Sequence, residues 1–192
     1  MSMILRDLRK VTAKRVMGID CSTKSLAYGI FEGDEPVTCG EVQFQGASLY
    51  ERLNDAHRKV PPLVKAGVLQ ADYIAFESAW TGPNPQVGIN LAMVYGAVIG
   101  ALMQAGMEVV TVPPLTWQAF IGNPNLKKAE KEQIKADHPG KSASWYSNAG
   151  RQMRKQRTLR FSQQFFKIDN GSDNVGDAVA IAYYANTQLT KR

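Results

Sequence analysis

The sequence is poor in cysteine and begins without a long apolar segment. Its 192 residues contain two cysteines, Cys21 and Cys39, which match no zinc spacing and form no disulfide framework. A chain of this length buries a core without such cross-links. The opening residues MSMILRDLRKVTAKR lack the continuous apolar run of a signal peptide. We therefore expect a single domain over residues 1–192, with 1–14 as an N-terminal extension, in a reducing cytoplasm.

A second absence is charge: no charged residue occurs from Thr81 to Met107. That length is sufficient for a membrane span. The segment nevertheless contains four amide side chains, and neither end is flanked by Lys or Arg. Those side chains are Asn84, Gln86, Asn90 and Gln104. We expect a buried helix over 85–106 and no membrane association. Gly96 and Gly100 would allow close backbone approach, so half of this helix is our candidate for a dimer interface.

Positive charge is concentrated in one segment. Residues 127–160 contain ten Lys and Arg residues and three acids, while the rest of the chain is nearly neutral and the total formal charge is +6. A localised basic segment is typical of a surface that binds a polyanion. The alternative is a helix face kept soluble by lysines. We favour contact with nucleic acid.

The apolar pattern predicts an α/β fold. Strands are predicted at RVMGID, SLAYGIFEG, PVTCGEVQF, DYIAFES and MEVVTVP. Helices are predicted at ASLYERLNDAHRKVPPLVKAG (broken or bent at Pro61-Pro62), 85–106, PLTWQAFIG, RQMRKQRTLRFSQQFF and DNVGDAVAIAYYANTQL. Residues 122–150 are predicted to be a long basic loop. Three meander strands followed by alternating helices and strands indicate a mixed five-stranded sheet, its first three strands antiparallel, flanked by helices.

Acidic residues stand where predicted elements leave the core. Asp20 ends VMGID and Glu77 ends YIAFE. If these strands are adjacent and parallel, both carboxylates emerge at one sheet edge, where ligands bind in open α/β sheets. The final helix brings Asp177 to the same edge, with Asp173 and Asn174 one turn earlier.

Oxygen ligands that converge in this way suit hard divalent cations, so we expect Mg²⁺, with Mn²⁺ able to substitute. Two such ions at one site activate a water and stabilise a leaving oxygen in phosphodiester cleavage. Each acid also has a structural alternative. Asp20 is able to cap the turn CSTKS, and Asp173 is a suitable helix N-cap.

Taken together, GIDCSTKSLAYGIF, IAFESAW and DNVGDAVAIA resemble the three acidic motifs of RuvC-type Holliday junction resolvases, which have a ribonuclease H-like fold. The resemblance extends from about Arg15 to Tyr184. It implies that Asp20 on the first strand, Glu77 on the fourth and Asp177 on the last helix are catalytic metal ligands. It also implies two ions in each active site, branched DNA as the substrate, a homodimer, no nucleotide cofactor and a location in the bacterial cytoplasm, including that of an infected host.

The sequence departs from this family at two places. The family carries a ligand three residues before the position of Asp177, where this chain has Asn174, with an acid one residue earlier at Asp173. We favour Asp173 over Asn174 as the fourth ligand. The connection 122–150 is longer than expected for bacterial members, which indicates a phage or divergent branch.

Further roles follow from the resemblance with less support from the residues themselves. Trp80 matches an aromatic that stacks on an unpaired base, and its alternative is a core position. Lys155 matches a lysine near the scissile phosphate, and its alternative is an ordinary phosphate contact. The candidate DNA contacts are Trp80, Lys127, Lys128, Arg151, Arg154, Arg157 and Arg160.

Three other functions stay open at this point. A YqgF-like nuclease would use similar acids on structured RNA. A catalytically inactive scaffold would bind branched DNA without cutting it, and the Asn174 departure keeps that alternative open. GIDCSTKSLAYGIF also resembles the first phosphate motif of sugar kinases and actin-like ATPases. Those proteins need two such domains and a second phosphate loop, neither of which we find here.

Overall fold

The central sheet contains the five predicted strands and one short additional strand. The computed structural model describes residues 3–4, 15–78, 84–167 and 172–190. The strands are β1 (Met3–Ile4), β2 (Arg15–Cys21), β3 (Ser25–Glu32), β4 (Glu35–Gln43), β5 (Tyr73–Glu77) and β6 (Glu108–Val112). Their order across the sheet is β1-β6-β5-β2-β3-β4.

The strand directions confirm the predicted mixed sheet. The strands β2, β3 and β4 form an antiparallel meander, whereas β5 pairs in parallel with both β2 and β6. The additional strand β1 pairs in parallel with β6. Residues 3–4 therefore belong to the sheet, although we expected all of 1–14 to be an extension.

The described residues form six helices, most of which cover the two faces of the sheet. They are α1 (Leu49–Lys65), α2 (Pro85–Gln104), α3 (Pro114–Phe120), α4 (Lys128–Asp137), α5 (Ala143–Ser162) and α6 (Asp173–Thr190). On one face, α1 and α2 pack against the side chains of Met17, Ile19 and Ile74. On the other face, α6 packs against Val16, Ala75, Ala27 and Phe31. The helices α3 and α5 lie beside α6.

The prediction of a loop over 122–150 was wrong, because most of this segment is helical. In α4 the side chain of Glu130 accepts a hydrogen bond from the Lys127 N–H at 2.7 Å. Ser142 caps α5 by accepting from the Trp145 N–H at 3.2 Å. The turn formers in GNPN and HPGKSAS separate these helices. The helix α4 was not predicted because Ile134 is its one buried side chain, so its sequence has no large apolar residues repeating at helical spacing.

Two expectations about individual helices were also wrong. We expected Pro61-Pro62 to break or bend α1, but no break occurs, since the helix continues to Lys65. Each proline lacks an N–H donor, but its fixed φ of about −65° is itself compatible with a helix. We expected α2 to be buried, but of its side chains only Val94, Val98 and Leu102 are buried.

The helix α2 is apolar on its outward side as well. Its mean hydropathy is 1.6 and 17% of the apolar window is buried, so by length and composition it is the one described helix that also matches a membrane span. Val87, Ile89 and Met103 are at least half exposed on this helix. A single copy of the chain leaves this face without a covering element in the described residues.

Candidate active site

The register of two parallel strands places Asp20 beside Glu77. The strands β2 and β5 pair from Val16↔Tyr73 to Ile19↔Phe76. One residue further along, Asp20 and Glu77 are neighbours at the carboxyl ends of their strands. Because side chains alternate along a strand, Ile19 and Phe76 face α1 and α2, whereas both acids face α6.

A glycine allows α6 to approach this strand closely. A Cβ atom at Gly18 would lie 2.2 Å from the carbonyl oxygen of Ala178 and 2.3 Å from the backbone nitrogen of Ala182. Gly29 on β3 meets the backbone of Val179 in the same way, with 2.7 Å between a Cβ and that Cα. Small residues on both elements therefore let the helix axis lie against the strands. As a result, Asp177 lies next to Asp20, two residues beyond Gly18.

The pKa of each of the three acids is raised. Burial, followed by the negative charges of Asp177 and Glu77, raises the pKa of Asp20 to about 8. Burial, followed by the charge of Glu77, raises the pKa of Asp177 to about 7. The pKa of Glu77 is also raised by burial, against opposing contributions from Trp117 and Arg154. A nearby cation would stabilise the ionised form of these carboxyl groups and lower their pKa.

Two side chains that the sequence analysis did not single out hold the strand ends in place. The Trp117 Nε1–H on α3 donates to Glu77 Oε1 at 2.8 Å. The Tyr95 hydroxyl on α2 accepts from the Cys21 N–H at 3.2 Å, adjacent to Asp20. Trp117 is 1% exposed, so the hydrogen bond to Glu77 is shielded from solvent. The sequence feature that could have indicated the contact with Glu77 was the tryptophan in PLTWQAFIG, in the short helix that follows a strand.

The start of α6 is fixed by three polar contacts. Lys155 Nζ on α5 forms an ion pair with Asp173 Oδ2 at 2.8 Å. Asn174 Nδ2 donates to Glu41 Oε1 at 3.0 Å, and the Ser172 hydroxyl donates to Glu41 Oε2 at 3.0 Å. The two candidates for a fourth ligand thus have different partners, a lysine for Asp173 and a glutamate for Asn174.

Glu41 is a further acid near the site that the sequence analysis missed. It lies on β4 opposite Ala27, which in turn lies opposite Asp20 on β2. Burial raises its pKa, but hydrogen bonds, that from Asn174 foremost, outweigh burial and lower the pKa overall. Glu41 is therefore an ionised carboxylate, and its charge is one of the causes of the raised pKa of Asp20.

A cleft of about 740 Å³ opens beside these acids. Glu77 and Asp177 lie in its wall together with Lys155. The remaining wall comes from the connection after α3 and from α4 and α5. Its basic side chains are Lys131, Lys135, Arg151 and Arg154. With acids at one part of the wall and lysines and arginines at another, the charges of this surface are suited to an anionic chain that lies beside a cation.

The structure separates the predicted DNA contacts into groups. Arg151 and Arg154 line the cleft, and Arg154 also donates to Gln118 on α3. Arg157 forms an ion pair with Glu130 that joins α5 to α4. Lys127, Lys128 and Arg160 are exposed and are not among the residues that line the cleft. Lys131 and Lys135 line it although they were not among the predicted contacts.

Trp80, a predicted contact, lies outside the described residues. The contact roles of all these side chains stay predictions.

The donor set fits a hard divalent cation by its chemistry. Asp20, Glu77 and Asp177 supply carboxylate oxygens, which Mg²⁺ and Mn²⁺ prefer. In the described part of the chain, no three Asp, Glu, His or Cys side chains are clustered tightly enough to hold an ion as they stand. Cation binding at this edge therefore requires these carboxylates to turn toward a shared point.

The raised pKa values predict how stability depends on pH when no cation is present. Asp20 and Asp177 bind a proton more tightly in the folded chain than in the unfolded one, where their pKa is 3.8. This tighter proton binding stabilises the folded chain by its full amount below about pH 4, and the stabilisation is lost as the pH rises toward 8. We expect the Tm in EDTA to fall between pH 5 and pH 9. Asp20→Asn should reduce this slope and stabilise the protein at pH 8.5 by about 1–3 kcal/mol.

Thermal unfolding at several pH values checks this expectation, with Asp34→Asn in the exposed turn after β3 as the control. Equal slopes for wild type and Asp20→Asn would contradict it.

Comparisons with known proteins agree with this arrangement. The family model of the crossover junction endodeoxyribonuclease RuvC matches residues 16–137, which include Asp20 and Glu77. The RuvC of Acidobacterium capsulatum is 30% identical over 132 residues, covering 62% of this chain and 75% of that protein. The RuvC of Chlorobium phaeovibrioides is 27% identical over 105 residues, and the match spans 52% of this chain and only 54% of that relative.

Solved structures show the same fold at lower identity. Thermus thermophilus RuvC, in complex with a Holliday junction substrate, superposes with a TM-score of 0.61 at 16% identity, over 91% of this chain and 97% of that one. The yeast mitochondrial Holliday junction resolvase has a TM-score of 0.54 at 14% identity, over 97% and 86%. With a family model that matches well over half of its length, the chain belongs to the RuvC family of crossover junction endodeoxyribonucleases.

Proposed function

We propose that this protein is a metal-dependent, structure-selective endonuclease that resolves four-way DNA junctions by paired phosphodiester hydrolysis. Family membership gives the class of reaction. The observation that carries the assignment to this chain is the set of three partly buried carboxylates, Asp20, Glu77 and Asp177, at one sheet edge beside a basic cleft. A DNA-processing enzyme of this kind acts inside the cell, in our proposal in the bacterial cytoplasm.

Asp20, Glu77 and Asp177 are the proposed metal ligands. Two Mg²⁺ ions, or Mn²⁺ in their place, would activate the attacking water and stabilise the leaving oxygen. The chain itself holds two of the carboxylates at strand ends and the third on α6, and it keeps Glu77 oriented through Trp117. Asp173 remains our choice of fourth ligand, because the amide nitrogen of Asn174 is directed to Glu41.

The cleft is the proposed path of the DNA strand. Lys131, Lys135 and Arg151 lie along its wall and would contact phosphates, which position a duplex without reading its sequence. Lys155 lies between the cleft and Asp173, so it is placed to contact the scissile phosphate once its ion pair with Asp173 opens. Binding through phosphates predicts that junction affinity falls steeply with salt.

A cleavage assay tests the proposed function. An end-labelled four-way DNA junction, a linear DNA duplex and an RNA hairpin are each incubated with Mg²⁺, Mn²⁺ or EDTA. We expect paired nicks near the branch point of the junction, only in the presence of a divalent ion. Junction binding without nicking would instead support the inactive scaffold, and cleavage of the RNA alone would support the RNA-processing alternative.

Two symmetric cuts require two active sites, so we propose a two-fold homodimer formed through α2. The outward face of this helix contains Ile89, Met93, Gly96, Gly100 and Met103 at helical spacing, all of them exposed. A Cβ at Gly96 or Gly100 would meet no atom within 4 Å in a single copy of the chain. These two glycines thus leave room for the backbone of a second copy.

This geometry makes Gly96→Leu a direct test of the dimer. In one copy the new side chain points into open space, and leucine favours a helix more than glycine does, so we expect each copy to keep its fold. In a dimer the leucine would separate the two α2 helices, so we expect the dimer dissociation constant to rise at least about tenfold, equal to about 1.4 kcal/mol. Sedimentation equilibrium measures it, with Arg58→Leu on the exposed face of α1 as control. An unaffected dimer would exclude this interface.

A further inference from the structure

Glu41 combines three features that the proposed mechanism does not use. It is an acid on β4, a strand that supplies none of the proposed ligands. It accepts hydrogen bonds from two residues at the start of α6, Ser172 and Asn174, each at 3.0 Å. Those residues are 131 and 133 positions away in sequence, so the contacts join two distant parts of the chain.

The sheet register explains how this side chain reaches the helix. Asp20 pairs with Ala27, and Ala27 pairs with Glu41, so the three form one row across β2, β3 and β4. Side chains within such a row point to the same face, here the face covered by α6. Ala27 is fully buried against Val175 and Ala178 of that helix. Its small side chain lets the first turn of α6 lie between the carboxylates of Asp20 and Glu41.

The same turn carries the residues on which the site depends. Asp173 begins α6, Asn174 follows, and Asp177 lies one turn later. Asn174 is held by Glu41 on one side of the helix, while Asp173 is held by Lys155 of α5 on the other. The start of α6 is therefore fixed from both sides, and its rotation determines where Asp173 and Asp177 point.

We propose that Glu41 is a positioning residue of this active site, which sets the rotation of α6 through the Glu41–Asn174 hydrogen bond. This inference rests on the proposed nuclease function for its catalytic consequence. Asn174 supplies an N–H donor to a carboxylate. An acid at position 174 would face Glu41 with like charge and would lose the hydrogen bond. The pair therefore needs one carboxylate and one amide, and in this chain the acid is on β4 and the amide on α6.

A reversed pair tests this relation. Asn174→Asp alone places two carboxylates together, and we expect cleavage to fall about 10–100-fold. Glu41→Gln alone removes the charge-assisted acceptor, and we expect a smaller loss, near the lower end of that range. The double variant exchanges the two groups. The amide introduced at position 41 would donate to the carboxylate introduced at position 174, while its oxygen accepts from Ser172, so cleavage should return to near the wild-type rate.

Two further measurements distinguish positioning from general stability. The Tm in EDTA reports whether the pair forms, and the Mg²⁺ concentration that gives half of the maximal Tm increase reports the cation site without requiring turnover. We expect each single variant to lower the Tm in EDTA and to raise the half-maximal Mg²⁺ concentration, and the double variant to restore both. Glu35→Gln, an exposed acid on the same strand, is the control.

Several outcomes would overturn the proposal. If Asn174→Asp alone increased cleavage, an acid would be preferred at position 174, and the hydrogen bond from Asn174 to Glu41 would not be what positions α6. If the Tm changed while the cleavage rate and the Mg²⁺ response stayed at wild-type values, the pair would be structural only. If wild type itself cut no junction, the proposed function would fail, but the Tm and Mg²⁺ measurements would still decide the positioning role.

Discussion

Asp20→Asn is expected to abolish junction cleavage while leaving junction binding intact. The substitution keeps the size of the side chain and removes the charge that a divalent ion needs, so the cleavage rate should fall by about 10³-fold or more. Binding in EDTA should be at least equal to that of wild type, because the substitution adds no negative charge that faces the DNA phosphates. Burial and the neighbouring acids raise the pKa of Asp20 to about 8, and Asn removes this unfavourable charge from the metal-free site.

The matched control is Asp34→Asn, which makes the same chemical change in the exposed turn between β3 and β4. Cleavage under single-turnover conditions and electrophoretic mobility shifts in EDTA measure the two properties separately. Cleavage by Asp20→Asn at the wild-type rate would show that this carboxylate is not part of the reaction. Loss of both cleavage and binding would point to a folding defect, which the Tm of the variant would reveal.

Gly18→Ala is expected to have the largest effect on stability. The new methyl group would stand 2.2 Å from the carbonyl oxygen of Ala178, which is backbone and so cannot rotate away. The helix α6 would have to move off β2, and the contacts of Ala178, Ala182 and their neighbours with the sheet would loosen. We expect a loss of about 3 kcal/mol or more, which lowers the Tm by roughly 6–12 °C.

Movement of α6 also displaces Asp177, so Gly18→Ala should lose cleavage even at temperatures where it remains folded. The control is Gly88→Ala in α2, where a Cβ meets nothing within 4 Å. That change should be neutral or stabilising by about 0.5–1 kcal/mol, since alanine favours a helix. Thermal unfolding of the two variants gives the comparison. A Gly18→Ala protein as stable as wild type would mean that α6 does not depend on close approach to β2.

The strand ends were predictable from the sequence because their signal is local. An apolar run that finishes in an acid indicates both the strand and the side chain that leaves the core at its end, as for Asp20 and Glu77. The alternation of β-strands then determines that both acids face the same way once the strands are neighbours. Asp177 followed from the small residues behind it, which predict close packing of a helix on a sheet.

Glu41 was not predictable by the same reasoning, because a single bulge decides where it points. The pairing of β3 with β4 shifts by one residue between Ile30 and Phe31. Without that shift, Ala27 would lie opposite Gly40 and the Glu41 side chain would face away from α6. Register of this kind depends on packing across three strands, and the turn residues Gly33 and Asp34 do not reveal the bulge.

The helix α4, which forms part of the wall of the basic cleft, was missed for a different reason. The helix α4 has one buried side chain, Ile134, and is held by polar contacts such as the Arg157–Glu130 ion pair. A helix that relies on few apolar contacts has a weak periodic pattern, so GNPN and HPGKSAS appeared to mark one long loop. For α2 the apolar pattern predicted the helix but not its exposure. Apolar residues on every side of a helix do not show which of them pack inside the same chain and which are left for another molecule to cover.

The position of α6 in the chain has a consequence for when the nuclease becomes active. Asp20 and Glu77 are synthesised early, but Asp177 and the helix that covers them come last of the described elements. During synthesis from the N-terminus, the face of the sheet around Gly18 and Ala27 stays uncovered until α6 emerges from the ribosome. An incomplete chain thus carries two of the three acids and no finished site. In the proposed mechanism, a chain becomes active only after its last described helix, with Asp177, has docked on the sheet.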